Sequence, residues 1–180
     1  KLKSIYYMGW NLPLKVPFSN QIGKLEFNSN GKLNRSRISP ILGKCELEPL
    51  SFGYPWVLKN DDSYQMWYDT TLKWKSNSLK DYKFILRSAV SSDGEKWNKT
   101  YQQNFPLLKN ELSIARPCVI KENGIYKMWC SINKSGKYKL CYAESQNGYN
   151  WIRKDKLIKW KGRKGSWESE EQSYPFLIQC

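Results

Sequence analysis

The sequence contains no histidine. That absence removes Ser-His-Asp and Cys-His catalysis, and the HExxH zinc site, from within these 180 residues. Acid–base chemistry here would have to rest on Asp, Glu, Tyr or Lys. Long apolar runs are missing too: no stretch approaches the roughly 18 residues of a membrane-crossing helix, so no membrane partner is expected. The cysteines Cys45, Cys118, Cys130, Cys141 and Cys180 are odd in number and lack CxxC spacing. This argues against both a disulfide framework and a zinc ribbon. Reduced, mostly buried thiols in a cytoplasmic protein are expected, with a Cys130–Cys141 cross-strand bridge as the alternative. Asp61-Asp62 and Asp93 lack the DxDxDG spacing of a calcium loop and read as turn residues; no metal or cofactor is expected.

Acidic side chains are scarce as well, 16 against 30 Lys and Arg, for a net charge of +14. Such an excess suits a polyanionic partner. The basic residues are spread along the chain, with the densest run from Arg153 to Lys164. An anionic carbohydrate fits that distribution better than a dedicated nucleic-acid role.

What the chain has in abundance is aromatic residues, 12 Tyr, 9 Trp and 6 Phe, which favour the pleated, half-buried surface of a strand. They recur in order. Tyr54-Pro55-Trp56-Val57-Leu58-Lys59 is followed by Tyr64-Gln65-Met66-Trp67-Tyr68, Tyr82-Lys83-Phe84-Ile85-Leu86, Ser91-Ser92-Asp93-Gly94 and Trp97. Downstream come Arg116-Pro117-Cys118-Val119-Ile120-Lys121, Tyr126-Lys127-Met128-Trp129-Cys130, Tyr138-Lys139-Leu140-Cys141-Tyr142, Ser145-Gln146-Asn147-Gly148 and Trp151. Pro55 to Pro117 and Met66 to Met128 are both 62 residues apart, and Gly94 to Gly148 is 54, so only the intervening loop changes length. Each unit reads as a four-stranded antiparallel sheet. Pro opens the first strand, where a missing N–H is tolerated, and Asp-Gly or Asn-Gly supplies a tight turn before the last. A repeated sheet of this kind buries both faces only by stacking radially, as in a propeller.

At the amino-terminal side, Tyr6-Tyr7-Met8-Gly9-Trp10 aligns with Tyr64 to Tyr68 at a spacing of 58. At the other side Pro175 lies 58 after Pro117 and marks a further first strand. The expected organisation is a single all-β domain over 1–180, a partial propeller of about three blades. Its parts are blade strands over 1–40, a blade over 54–100, a blade over 116–155 and the first strand of the next over 174–180. A closed ring needs about four blades or more, so the sequence reads as part of a longer propeller, with other blades or another chain covering its open edges.

Several segments resemble bacterial glycosidase-like propellers: Tyr7-Met8-Gly9-Trp10-Asn11, Val16 to Gly23, Ile114-Ala115-Arg116-Pro117, Tyr126 to Trp129, Tyr142-Ala143-Glu144-Ser145, and Trp167 to Glu170 before Tyr174-Pro175-Phe176. These are similar to the arabinanase/levansucrase/invertase group, the furanosidase-type glycoside hydrolases with five blades. The resemblance implies a carbohydrate substrate over the central funnel, a role in bacterial polysaccharide metabolism and three carboxylates drawn from three blades. On that basis Glu170 is the expected general acid and Glu48 the second, tuning carboxylate, since both precede first strands. The third would fall before residue 1, so this stretch alone is expected to be inactive. Ser173 stands where a further acid would be expected. Arg116 opens its strand at the funnel, where a guanidinium can bind a sugar carboxylate or phosphate or pair with Glu48 or Glu170. Trp10, Asn11, Tyr54 and Trp74 are candidate stacking and hydrogen-bonding residues; Trp67 and Trp129, mid-strand, are expected in the core. A non-catalytic carbohydrate-binding or scaffolding propeller is the alternative function.

Overall fold

The computed structural model describes residues 4–13, 18–36, 38–74, 82–101, 105–160 and 162–178, with Lys73, Trp74 and Tyr82 as backbone alone. The architecture is all-β, and the only helical turn among the described residues is a three-residue 3-10 turn at Asp155–Leu157. Three antiparallel sheets follow one another along the chain. The first holds β1 (Ser4–Asn11), β2 (Ser19–Phe27) and β3 (Leu33–Arg35). The second holds β4 (Ser51–Lys59), β5 (Tyr64–Trp74), β6 (Tyr82–Ser91) and β7 (Asn98–Lys99). The third holds β8 (Glu111–Glu122), β9 (Ile125–Lys134), β10 (Lys137–Ser145) and β11 (Ile152–Arg153). Within each sheet the strands pair in chain order, the arrangement of propeller blades. Residues 171–178 form no ladder, so the described part of the strand expected over 174–180 is a chain segment lying against blade 3 rather than a paired strand.

The cores lie between blades, because a twisted sheet with two apolar faces needs a neighbour on each side. Ile22, Leu42, Phe52, Met66, Tyr68 and Ala89 fill the seam between blades 1 and 2. Trp67, Leu86, Ile114, Val119 and Met128 belong to the seam between blades 2 and 3. Side chains of β5 alternate between the two seams, as the two-residue period of a strand requires.

The Ser-x-Asx-Gly segments secure these seams. Ser91 and Ser145 hold the turns through their hydroxyls, and Asp93 accepts from the amides of Glu95 and Lys96 at 2.8 and 2.9 Å. Asn147 does the same for Tyr149 and Asn150. These are side-chain-capped loops rather than the two-residue turns expected. Only the glycines, Gly94 and Gly148, take a positive φ of 73°. Each glycine also lets the preceding blade come close: a Cβ on Gly148 would lie 2.8 Å from the Gln65 amide and 3.0 Å from the Trp67 ring. The Trp67 indole donates to the Gly148 carbonyl at 2.8 Å, and Tyr6 Oη donates to the Gly94 carbonyl at 2.9 Å. Trp151 and Trp97 then meet Trp67 and Tyr6 edge to face.

Those paired contacts correct the register of the first repeat. Tyr6 is the counterpart of Trp67, a spacing of 61 rather than 58. An odd offset reverses which side chains of β1 face blade 2. Trp67 is buried as expected; Trp129 is half-buried, its ring 4.6 Å from that of Tyr142. Cys130 and Cys141 stand opposite each other in the ladder, both buried and not joined by a disulfide.

Candidate functional site

The prolines do not open the inner strands. Pro55 is the fifth of nine residues in β4 and Pro117 the seventh of twelve in β8, each inside a β-bulge. The ladder runs Gly53↔Asp69 then Trp56↔Trp67, and Ala115↔Ser131 then Cys118↔Trp129, so two residues face one on the partner strand. A bulge tolerates the missing proline N–H and re-aims the residue before it. Those residues, Tyr54 and Arg116, take φ of 45° and 55°, and Tyr174, before Pro175, takes 59°. A left-handed non-glycine residue ahead of proline is strained by about 1–3 kcal/mol. Three equivalent positions accept that strain.

All three side chains meet on the axial side of the inner strands. The rings of Tyr54 and Tyr174 stack with centroids 6.1 Å apart. The Arg116 guanidinium lies 5.6 Å from the Tyr54 ring centroid and 4.9 Å from that of Tyr174. Tyr138 of β10 extends the cluster, 5.8 Å from Tyr174. A cavity of about 340 Å³ opens beside them, bounded by Tyr54, Pro55, Arg116, Pro117, Pro175 and Phe176 and closed on one side by Tyr6 to Met8 of β1. Arg116 is exposed and forms no ion pair among the described residues. It therefore does not pair with Glu48 or Glu170, and it borders the cavity beside the two stacked rings. Burial, then the nearby Tyr174 and Asp69, pushes the Tyr54 hydroxyl up to about 12; it acts as a neutral donor and acceptor.

Asp69 is a buried carboxyl beside this cluster that the sequence reading missed. It stands opposite Gly53 in the ladder, beside the Tyr54 bulge, and is 2 % exposed. A Cβ at residue 53 would fall 2.6 Å from its Oδ1 and 3.0 Å from the Met8 sulfur, so only glycine admits the carboxyl there. Its Oδ2 has no partner among the described residues. Burial, partly offset by the Gly53 amide, raises the carboxyl to about 8, leaving it mostly protonated at neutral pH. In the next blade the same register position is Ser131, whose hydroxyl accepts the Tyr174 amide at 2.7 Å. The 62-residue repeat already aligned Asp69 with Ser131; what it did not show was that this row ends beside the bulge.

The other candidates are dispersed. Glu48 is completely buried away from the axial cavity. It accepts from Tyr68 Oη at 3.1 Å and pairs with Lys99 at 2.8 Å and Arg87 at 3.6 Å. Its partners commit it to anchoring the loop before β4 on blade 2. The Glu170 side chain is 71 % exposed and paired with Lys137, whose hydrogen bond and charge hold the carboxyl below its ordinary range. A general acid needs the opposite shift. Asn11 and Trp10, the latter 65 % exposed, lie at the end of β1 beside a different cavity, with Gln21 and Arg35. The Trp74 side chain lies outside the described residues.

No family model matches the chain. It is 33 % identical over 178 residues to an uncharacterized protein of Mycobacterium tuberculosis strain CDC 1551, and 32 % identical to one of strain H37Rv. The match covers 97 % of the chain but 58 % of each relative, so the chain spans little more than half their length. Among solved structures it is similar to a GH32 β-fructofuranosidase of Bombyx mori, with a TM-score of 0.63 and 13 % identity over 83 % of this chain and 33 % of that one. A glycosyl hydrolase of Bacteroides ovatus gives a TM-score of 0.58 and 16 % identity over 66 % and 39 %. A member of the GH130 family of mannoside phosphorylases and hydrolases gives 0.59 and 17 % over 73 % and 41 %. At these identities the likeness establishes the fold. The chain has the blade architecture of glycoside-hydrolase propellers.

Proposed function

We propose that the chain is part of a five-bladed, carbohydrate-binding propeller whose axial cavity holds an acidic saccharide against Arg116. The observation that carries this reading is the exposed guanidinium, without an ion pair among the described residues, held beside the stacked Tyr54 and Tyr174 rings. Aromatic faces suit the C–H faces of a sugar, and a guanidinium grips a carboxylate or phosphate through paired hydrogen bonds. The matched part leaves 42 % of each relative, about 130 residues, which is room for about two more blades of this size.

Hydrolysis is the second reading, favoured by the glycosidase activity named for the solved structures. It needs two carboxylates flanking one glycosidic bond. Among the described residues that bound the axial cavity none is Asp or Glu, so under this reading the pair comes from the remainder of a longer protein, with Glu48 and Glu170 in structural ion pairs. Binding of this chain to a sugar is independent of that question.

Isothermal titration with D-galacturonate and D-galactose tests the binding. The acidic sugar is expected to bind and the neutral one to bind at least tenfold more weakly. Arg116→Ala is expected to abolish the difference, and Arg116→Lys, which keeps charge but loses the planar fork, to recover part of it. Equal affinity of wild type and Arg116→Ala for galacturonate would refute the reading.

A further inference from the structure

The densest basic run of the sequence builds a second concave surface, on the outer rim of blade 3. After β11 the chain leaves Lys154, whose amide bonds the Tyr142 carbonyl at 2.8 Å, and returns at Gln172, whose amide bonds the Tyr138 carbonyl at 3.2 Å. The intervening loop stands off β10 and encloses a cavity of about 330 Å³, within the size range of small-ligand sites. Its walls carry Lys139, Asp155, Trp160, Ser169 and Gln172.

Each wall has a defined chemistry. Trp160 is 47 % exposed and presents an indole with no ring partner among the described residues. Opposite polar groups are preorganised: Lys139 donates to the Glu170 carbonyl at 2.9 Å and to Gln172 Oε1 at 3.3 Å, and the Gln172 amide donates to the Glu168 carbonyl. Asp155 is held by Arg153, with Nε to Oδ2 at 3.1 Å, and accepts the Tyr142 amide at 3.0 Å. Burial pushes its carboxyl up, but the hydrogen bonds from Arg153, Cys141 and Tyr142 outweigh it and keep the group ionised at neutral pH. Around the loop, Lys156, Lys159, Arg163 and Lys164 are more exposed and make no ion pair among the described residues.

We propose that this cavity is a second saccharide-binding site, which seats one unit of an acidic glycan chain. The sugar ring lies on Trp160, its hydroxyls reach Asp155, Ser169 and Gln172, and acidic groups of neighbouring units meet the loop cations. A carboxylate on the wall accepts hydroxyl donors, which a saccharide ring presents around its edge. Leu140 and Ile158 also line the cavity, and the vesicle titration separates a lipid from a saccharide occupant. The site rests on no property of the axial cavity, and Arg116 takes no part in it.

The experiment is calorimetric titration of the 180-residue chain with a galacturonate oligomer, alongside a neutral maltose oligomer of equal length, an RNA hairpin and vesicles containing anionic lipid. Wild type is expected to show two sites for the galacturonate oligomer. Trp160→Ala and, from the opposite wall, Gln172→Ala should each remove one site or weaken it at least tenfold, with thermal melts confirming the fold. Arg116→Ala should leave the Trp160-dependent site intact. Failure of the axial site alone would appear as a single site, insensitive to Arg116→Ala and lost in Trp160→Ala. Two results overturn the proposal: unchanged binding in both rim variants, or tighter Trp160-dependent binding of RNA or vesicles.

Discussion

At the scale of single residues, the axial site depends on groups held in costly states. Arg116 and the tyrosines Tyr54 and Tyr174 take left-handed φ values before proline, and Asp69 is sealed under Gly53 with one carboxylate oxygen unpaired. Asp69 has a testable signature. Its folded-state value of about 8 lies above the ordinary carboxyl value of 3.8, so the folded chain retains a proton that the unfolded chain releases first. The stability this group contributes is complete below about pH 4 and is lost as pH rises through about 8. Asp69→Asn removes the ionisation. Denaturant unfolding should show the variant gaining about 4 kcal/mol on wild type at pH 9 relative to pH 5; parallel pH profiles for the two proteins would contradict the assignment. Arg116 was legible as a candidate because it precedes a repeated proline. Asp69 was not, because a strand carboxyl looks the same in sequence whether it faces water or a neighbouring blade.

At the scale of elements, the repeated Ser-x-Asx-Gly loop is the fastening between blades. Its sequence announces a turn, yet the turn serves the seam as much as its own hairpin, since the glycine carbonyl takes the Trp67 or Tyr6 donor of the preceding blade. Gly148→Ala therefore meets two penalties, a positive φ and a Cβ 2.8 Å from Gln65. Gly124, with φ of 79° and nothing within 4 Å of a Cβ, carries the first alone. Thermal or urea unfolding should show Gly124→Ala costing about 1 kcal/mol and Gly148→Ala about 2–4 kcal/mol. Equal losses would mean that the seam yields freely at the turn. The prolines teach a related lesson: a proline every 58 to 62 residues marked the inner strands, but whether it began a strand or sat in a bulge depended on ladder pairing that no local pattern encodes. The same holds for β1, where an aromatic match at 58 gave way to the contact-defined 61, because facing in a strand is set by the neighbour it packs on.

At the scale of the whole molecule, a net charge of +14 biases the protein toward anionic partners wherever its pockets lie. Binding of a galacturonate oligomer is expected to weaken about tenfold between 0.05 and 0.5 M salt, as the screening length contracts to a few ångströms, while neutral oligomers show little change. Salt-independent binding would put the affinity in neutral contacts. The sequence by itself determined the all-β class, the blade order and the two complete blades. It could do so because strand periodicity, turn chemistry and repeat spacing are local or translational signals. It also marked Arg116, Tyr54 and the basic run Arg153 to Lys164. Only the tertiary structure decided which charges meet. Glu48 went to Lys99 and Arg87, Glu170 to Lys137, and Arg116 to two aromatic rings. Those pairings bring together residues distant in sequence, and blade stacking, which sets side-chain burial and facing, alone selects them.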